Sequence, residues 1–546
     1  MWALDLGTTN TGLARWLEAE QRPRVIALPR VCRQPEGVDP LEAPLLVPSL
    51  VEPLPELDLL SRLGGWSPLE RRVLWGRQAL IGREVAERHL ARPGRAELRP
   101  FKPALMRAPL SSIGRVGGRA LTAREAARLF LRELLREARS ATGERVRSLV
   151  VTSPVEAFEH YRAELSAILA GLGVSKVRFL DEPVAAALGY GLAQRERRRV
   201  LVVDFGGGTL DLALVVLTPR GLERGQCEVL AKEGRPLGGA LVDRWLLDEA
   251  CRLLGFPERP EDEELGGLWR TLMLAEVCRV KEALYFRDSE VLVPPPPDER
   301  TRFEARMRGA PEALTFDRAL LAELLARRGL YAQLEGAISA LLTTAAARGV
   351  GEADVDDVLL VGGSTLLPGV YKAFEGRFGR DRVRAWQPFE AVCHGAAAFA
   401  ADAVLQSDFI VHDYAFVVHD PRRDEVQHLV VIPRGTRFPT ATDFWKRQLV
   451  PTCSLGEPET VFKLVICEIG EDHEGERRIA FDAEGRAHAL GAQRGSGTVV
   501  VPLNEAHPAL GYLSPPHPPE DRRPRLEISF GVNAERWLCA SVFDLW

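Results

Sequence analysis

No run of about 18 apolar residues, the minimum for a membrane-spanning helix, occurs anywhere in the 546 residues. The first residues, Met1-Trp2-Ala3-Leu4-Asp5, carry no basic segment leading into an apolar one, so the fold is expected to begin at Met1 without a leader. Cysteine is sparse. The eight residues (Cys32, Cys227, Cys251, Cys278, Cys393, Cys453, Cys467, Cys539) are scattered with no C-x-x-C pair, which argues against a zinc site or a disulfide framework and fits a reducing cytoplasm. Lysine is rarer still, with seven residues against 64 arginines, so a lysine at a particular place carries information. An excess of one charge is also missing: Lys plus Arg total 71 and Asp plus Glu 76, a formal net charge of −5. That balance supplies no global basic field for nucleic acid or an anionic membrane, and neither is expected as a partner.

The chain is long enough for several domains of about 150 residues, and 46% apolar content gives each a core. Through roughly the first 400 residues, short Val- and Leu-rich runs (Leu149 to Val151, Val200 to Val203, Val358 to Val361) alternate with helical patterns, the signature of an α/β domain. Thr122-Ala123-Arg124-Glu125 is a capping box predicting a helix to about Ser140, and Glu156 to about Leu172 predicts a second helix stopped by Gly173. Residues 255–315 look less orderly, with acids at Glu261 to Glu264 and a Pro294 to Pro297 run expected as an exposed loop. After Ala403 the pattern changes to alternating segments (Val461 to Ile469, Thr498 to Leu503, Leu526 to Val532, Trp537 to Phe543), which predicts a separate all-β domain. The boundary is expected at residues 406–413, where Phe409-Ile410-Val411-His412-Asp413 either docks as an edge strand or begins the β domain. Pro515 to Arg525 has loop composition.

Three segments carry chemistry. Asp5-Leu6-Gly7-Thr8-Thr9-Asn10 places an acid at a strand end, then a glycine and two hydroxyls, so a phosphate could lie against the turn while Asp5 holds a hydrated Mg²⁺. Alone, the pattern fits an ordinary hairpin as well. About two hundred residues later, Asp204-Phe205-Gly206-Gly207-Gly208-Thr209-Leu210-Asp211 repeats the design, which suggests an internal duplication with a nucleotide held between two hairpins. The third, Gly362-Gly363-Ser364-Thr365 after a buried strand, would let a flat nucleoside lie on the backbone.

Together these segments resemble the actin, sugar-kinase and heat-shock ATPase superfamily, and in detail the seventy-kilodalton heat-shock (DnaK-type) chaperones. Asp181-Glu182-Pro183-Val184-Ala185-Ala186-Ala187 is similar to that family's N-E-P-T-A-A-A signature, Leu237-Gly238-Gly239 with Asp243 to its L-G-G-x-x-x-D turn, and Gly395-Ala396-Ala397-Ala398 to its closing helix. Pro154 and Arg162 keep the family's step from a switch proline to a relay arginine. The resemblance implies a two-lobed actin-like α/β ATPase domain with duplicated mixed-sheet lobes over 1–405, a linker over 406–413, and a β-rich, sandwich-like peptide-binding domain over 414–546. It implies ATP/ADP and Mg²⁺ as cofactors. Asp5, Glu182 and Asp204 would serve the metal; Lys102, Glu182, Asp204 and Thr209 would serve catalysis. Gly7, Thr8, Thr9, Asn10, Gly206, Gly207, Gly208, Thr209, Gly238, Gly239, Lys281, Gly362, Gly363 and Ser364 would hold the nucleotide. Lys102 is otherwise a solvated surface lysine.

The resemblance further implies unfolded or extended polypeptide as the ligand of the β domain, with a J-domain co-chaperone and a nucleotide-exchange factor as possible partners. Several positions depart from it. Cys278, Glu282 and Tyr285 replace an acid, a base and a small hydroxyl around Lys281; Leu366 replaces an arginine after Gly362-Gly363-Ser364-Thr365; Phe389 replaces an aspartate. Weaker nucleotide affinity is expected from these changes. His412 stands where the family has a leucine and is expected to be a solvated linker residue. No helical lid is expected after the last hairpin, which ends at Trp546. The predicted activity is slow ATP hydrolysis coupled to peptide binding. The competing prediction is a non-cycling ATP-binding scaffold for one dedicated partner; a small-molecule kinase of the same superfamily is disfavoured by Pro154, Arg162 and the β domain.

Overall fold

The computed structural model describes the chain apart from residues 34–44, 55–76, 92–99, 117–118, 192–195, 219–224, 257–262, 295–302, 304–305, 308, 310, 386–388, 402–403, 421–424, 452, 454–455, 472–477, 482–486, 491–497 and 506. It divides into two compact units: Met1–Val155 with Ser166–Leu405, and Glu156–Leu165 with Gln406–Trp546. Most of the proline run from Pro294 and part of the acidic stretch from Glu261 lie outside the described residues, as do Gln387 and Pro388.

The first unit is built on two mixed sheets that share one strand order. In the first, Lys176–Asp181, Ser148–Ser153, Trp2–Leu6, Asn10–Leu17 and Arg22–Val25 lie side by side. The first three run parallel, and the last two return antiparallel. In the second, Val383–Ala385, Asp357–Val361, Arg198–Phe205, Leu210–Thr218 and Gly225–Arg235 repeat that order and those directions. The central strands are apolar on both faces because helices cover both sides, so Val200 to Val203 and Val358 to Val361 are all buried.

The helices follow their caps. Thr122 receives the Glu125 backbone N–H on its side chain while Glu125 reaches back to the Thr122 N–H, and the helix Ala123–Thr142 ends at Gly143 with φ 75°. The second expected helix begins at Glu159 rather than Glu156 and runs to Gly171. Residues 156–158 instead form a turn, in which the Ala157 carbonyl accepts from Arg162 Nη1. Within 255–315 there is more order than the composition suggests: Glu263–Ala283 is one helix, and Ser289–Leu292 pairs with Leu314–Asp317. Its continuity matters because it carries Lys281 and Glu282.

The second unit is all β apart from residues 156–165. Glu425–Ile432, Asp413–Asp420, Ile466–Glu471 and Thr498–Pro502 form one sheet, and Trp445–Leu449, Leu526–Val532 and Leu538–Asp544 another. Their core holds Tyr414, Phe416, Ile432, Ile528, Phe530 and Val532, with the rings of Phe416 and Phe530 6.2 Å apart. Val461 to Ile469 is not one strand: it breaks into Glu459–Lys463 and Ile466–Glu471. The Asn504 amide bridges the break, donating to the Leu464 carbonyl and accepting the Ile466 N–H, both at 2.8 Å. Pro515 and Pro516, expected in a loop, end the strand Ala509–His517, whose pairing with Glu459–Lys463 is bulged and therefore tolerates them. The apolar segment before His412 forms a strand, Val404–Phe409, whose Asp408 and Phe409 pair with Phe438 and Arg437.

His412 is not solvated. It is buried, its Nδ1 2.9 Å from Glu468 Oε1 and its Nε2 3.3 Å from Glu156 Oε2. The Phe158 ring stacks on it at 4.3 Å, and Gly470 leaves the room: a Cβ there would stand 2.9 Å from Phe158 and 3.0 Å from His412. Carboxylates at both ring nitrogens hold the imidazole in this buried position.

Candidate functional site

Strand ends bring the acids together. Asp5 closes Trp2–Leu6 and Asp204 lies near the end of Arg198–Phe205, where it pairs in register with Asp211. Glu182 opens the helix Glu182–Gly191, and Lys102 sits in the short helix Phe101–Arg107. The Lys102 Nζ donates to Glu182 Oε1 at 2.8 Å, and both side chains are buried. The lysine is therefore part of the acid cluster and not a surface residue.

Burial raises the carboxyls around that pair. Asp5 is pushed up to about 6 by burial and then by the Glu182 charge, against Lys102 and a 2.7 Å bond from Thr152 Oγ1. Asp204 is pushed well above the usual range by burial, Glu182, Asp211 and Asp5. Asp211 reaches about 8, again mainly by burial and Glu182, although Thr209 and the Val155 N–H bond to it. A cluster that repels itself in this way fits a divalent cation. Among the described residues no group of three or more His, Cys, Asp or Glu side chains is arranged to hold a metal ion by itself.

The two glycine–threonine turns face each other. A Cβ on Gly207 would stand 2.1 Å from Thr9 Oγ1, and one on Gly208 2.4 Å from Thr8 Oγ1. Ser49 Oγ donates to the Gly7 carbonyl at 2.7 Å and shares a 2.9 Å bond with Thr11 Oγ1, which fixes the first turn. The second turn is fixed from outside: the Gly206 carbonyl accepts from the Gly239 N–H at 3.0 Å and from Ser364 Oγ at 2.7 Å, and the Gly207 carbonyl accepts from the Ala240 N–H at 2.8 Å. Gly238 is required there, since its Cβ would meet the Gly207 carbonyl at 2.5 Å.

A cavity of about 370 Å³ opens from these turns, lined by Thr9, Asn10, Gly207, Gly239, Lys281, Glu282, Tyr285, Gly363, Ser364 and Phe389 among others. Lys281 Nζ is 2.7 Å from Asp243 Oδ1 and 3.3 Å from the Gly239 carbonyl. Burial opposes its charge, but its surroundings, Asp243 among them, hold the ammonium well above its ordinary value. Gly362 has φ 84° and sits against Phe205 and Asp204, so the turn after Asp357–Val361 locks onto the second hairpin.

The structure thus brings Asp5, the two turns, Lys102, Glu182, Asp204, Thr209, Gly238, Gly239, Lys281, Gly362, Gly363 and Ser364 into one region of the first unit. Pro154 lies one residue before Val155, whose N–H donates to Asp211 Oδ1 at 2.8 Å. Arg162 belongs to the second unit, buried, with its guanidinium 5.9 Å from the Trp537 ring. Sequence reasoning missed Arg33. It lies in a segment with no motif, yet its guanidinium forms a two-pronged pair with Glu282 at 2.8 and 3.1 Å, and its Nε donates to Asn10 Oδ1 at 2.8 Å. Asp211 lay inside a quoted motif and Thr152 just after a quoted strand, but nothing in the sequence gave them their contacts to Val155 and Asp5.

Residues 80–422 match the family model described as Hsp70 protein. The chain is 29% identical to the chaperone protein DnaK of Thermus thermophilus over 336 residues, 60% of this chain and 51% of that one. It is 29% identical to the DnaK of Deinococcus deserti over 380 residues (67% and 55%) and to that of Deinococcus proteolyticus over 367 (64% and 52%). The chain therefore spans about half the length of the curated relatives it matches. No helix among the described residues is long and apolar enough to cross a membrane. With the matched segment covering well over half of the sequence, the chain belongs to the Hsp70 family.

Proposed function

We propose that the first unit binds Mg²⁺-ATP between the Gly7–Asn10 and Gly206–Thr209 turns and hydrolyses it slowly, and that nucleotide state controls how the second unit holds an extended polypeptide segment. The observation that carries this is the facing of the two turns beside the Lys102–Glu182 pair. Backbone N–H groups and the Thr8, Thr9 and Thr209 hydroxyls cradle the phosphates. The Lys102 ammonium steadies the transferred phosphoryl group, and the Glu182 carboxylate orients the attacking water and takes its proton. Asp5, Glu182 and Asp204 hold the hydrated Mg²⁺, which neutralises phosphate charge when bound.

Extended peptide is the ligand class that a β unit reads through backbone bonds and apolar pockets. A J-domain co-chaperone, a nucleotide-exchange factor and a cytoplasmic location belong to the same proposal by analogy with the DnaK relatives. Coupling is reciprocal, so a polypeptide that ATP weakens also speeds hydrolysis. Anisotropy of a labelled unfolded peptide, read with ATP and with ADP, tests it; equal affinities would remove the nucleotide control.

A second reading, a scaffold that binds ATP without cycling, draws on Phe389, whose ring comes within 3.1 Å of where a Gly363 Cβ would stand. Turnover above that of Glu182→Gln counts against it.

A further inference from the structure

The glycine shelf after Asp357–Val361 is not bare. The Phe389 ring lies over Gly363, with Cε1 3.1 Å and two more ring carbons 3.9 Å from the position of a Cβ there, and Phe389 lines the cavity. Phosphates occupying the turns at Thr9, Asn10 and Gly207 leave the rest of the cavity, with Phe389 and Tyr285 in its lining, for the nucleoside.

Each charged side chain that lines the cavity is already paired with a protein group. Arg33 is held by Glu282 and Asn10, Lys281 by Asp243, and Arg287 by Glu290 at 2.7 Å. The Ser364 hydroxyl donates to the Gly206 carbonyl. The Tyr285 phenol, which also lines the cavity, can donate or accept by rotation, so it meets an amino group or a carbonyl on a base edge equally well. A site discriminates strongly between isosteric ligands when the wrong one strands a buried polar group of the site. Side chains that satisfy one another exact no such penalty, and an aromatic face accepts any base.

We propose that this site is tolerant of the purine, recognising adenine and guanine alike by stacking on Phe389. The inference rests on the nucleotide-site reading above and extends it to ligand class. Arg33 and Glu282 act as a rigid ion-paired wall and not as readers of the base edge.

The test is calorimetric titration of the full chain, cleared of nucleotide and supplied with Mg²⁺, using ATP, GTP and inorganic tripolyphosphate. The expected result is ATP and GTP within about tenfold of each other, both binding roughly ten- to a hundredfold tighter than tripolyphosphate. Phe389→Ala should erase most of the advantage of both nucleotides and leave tripolyphosphate affinity unchanged, which also reports that the variant has folded. Phe389→Tyr should restore it.

A preference for ATP over GTP of a hundredfold or more would overturn the proposal while leaving the nucleotide site standing. Equal affinity for all three ligands, or tighter nucleotide binding by Phe389→Ala, would overturn it too, by showing that the ring is not a shelf. If none of the three bound, the nucleotide reading itself would fall and this inference with it.

Discussion

Lys102 and Glu182, 80 positions apart in the sequence, form a buried ion pair at 2.8 Å in the middle of a cluster of carboxyls. Removing the cation leaves Glu182 facing Asp5 and Asp204 without compensation. Lys102→Ala should therefore destabilise the protein by about 3–5 kcal/mol, the usual cost of breaking a buried pair from one side. Lys102→Ala/Glu182→Gln should recover part of that loss while remaining inactive. Urea unfolding of the three variants checks the order; an unchanged midpoint for Lys102→Ala would show that the pair is solvated in solution.

Glu182 depends on a helix crossing that admits only glycine. A Cβ on Gly395 would stand 1.6 Å from the Ala185 carbonyl and one on Gly189 2.6 Å from the Ala391 carbonyl, so the helices Glu182–Gly191 and Ala391–Ala400 touch through their backbones. Gly395→Ala should cost at least about 3 kcal/mol, the upper part of the usual range for an overpacked core. A melting temperature within a degree or two of the native protein would contradict this packing.

The α/β character of the first unit and its two hairpins rest on patterns plain in the sequence: apolar runs of strand length, a capping box, and two acid–glycine–threonine turns about two hundred residues apart; the strand order does not. The two turns of the candidate site were equally legible, because backbone turns need glycine and leave a local signature. The far-apart pairs around the cavity were not. Arg33 reaches Glu282 across 249 positions, and a pair held by tertiary packing leaves no periodicity to read. Phe389 was visible as a substitution, but its placement over Gly363 was not. His412 misled for a related reason: its burial depends on Glu156, Phe158, Glu468 and Gly470, none of which marks a site by itself.

His412 gives the second unit a pH dependence of known sign. Burial alone would depress its pKa, but the bonds to Glu156 and Glu468 raise it from 6.5 to about 9. The charged imidazole thus contributes its full stability below about pH 6.5 and loses it as pH rises through 9, an effect on the order of 1–3 kcal/mol. Glu159, raised to about 7 chiefly by burial, adds a loss of the same sign at lower pH, so the comparison must be made against a variant. His412→Leu should be less stable than the native protein at pH 6.5, with the gap closing by about pH 9. Thermal unfolding from pH 6 to 10 reads this difference, and a gap constant with pH would remove the imidazolium from the account.

The carboxyl cluster predicts a metal effect. With Asp5, Asp204 and Asp211 all raised by burial and then by the Glu182 charge, a bound cation would relieve strain that the free protein carries. Mg²⁺-ATP should raise the melting temperature more than ATP with a chelator, and Asp204→Asn should narrow the difference. Equal melting temperatures with and without Mg²⁺ would argue against a metal among these acids.

Single-turnover hydrolysis of ATP with Mg²⁺, with and without an unfolded polypeptide, tests the central claim most directly when run beside Glu182→Gln and Thr209→Ala. The account predicts slow hydrolysis that the polypeptide accelerates and both variants reduce by at least about a hundredfold, the scale of a lost general base. Hydrolysis no faster than in the variants, whatever polypeptide is present, would contradict it.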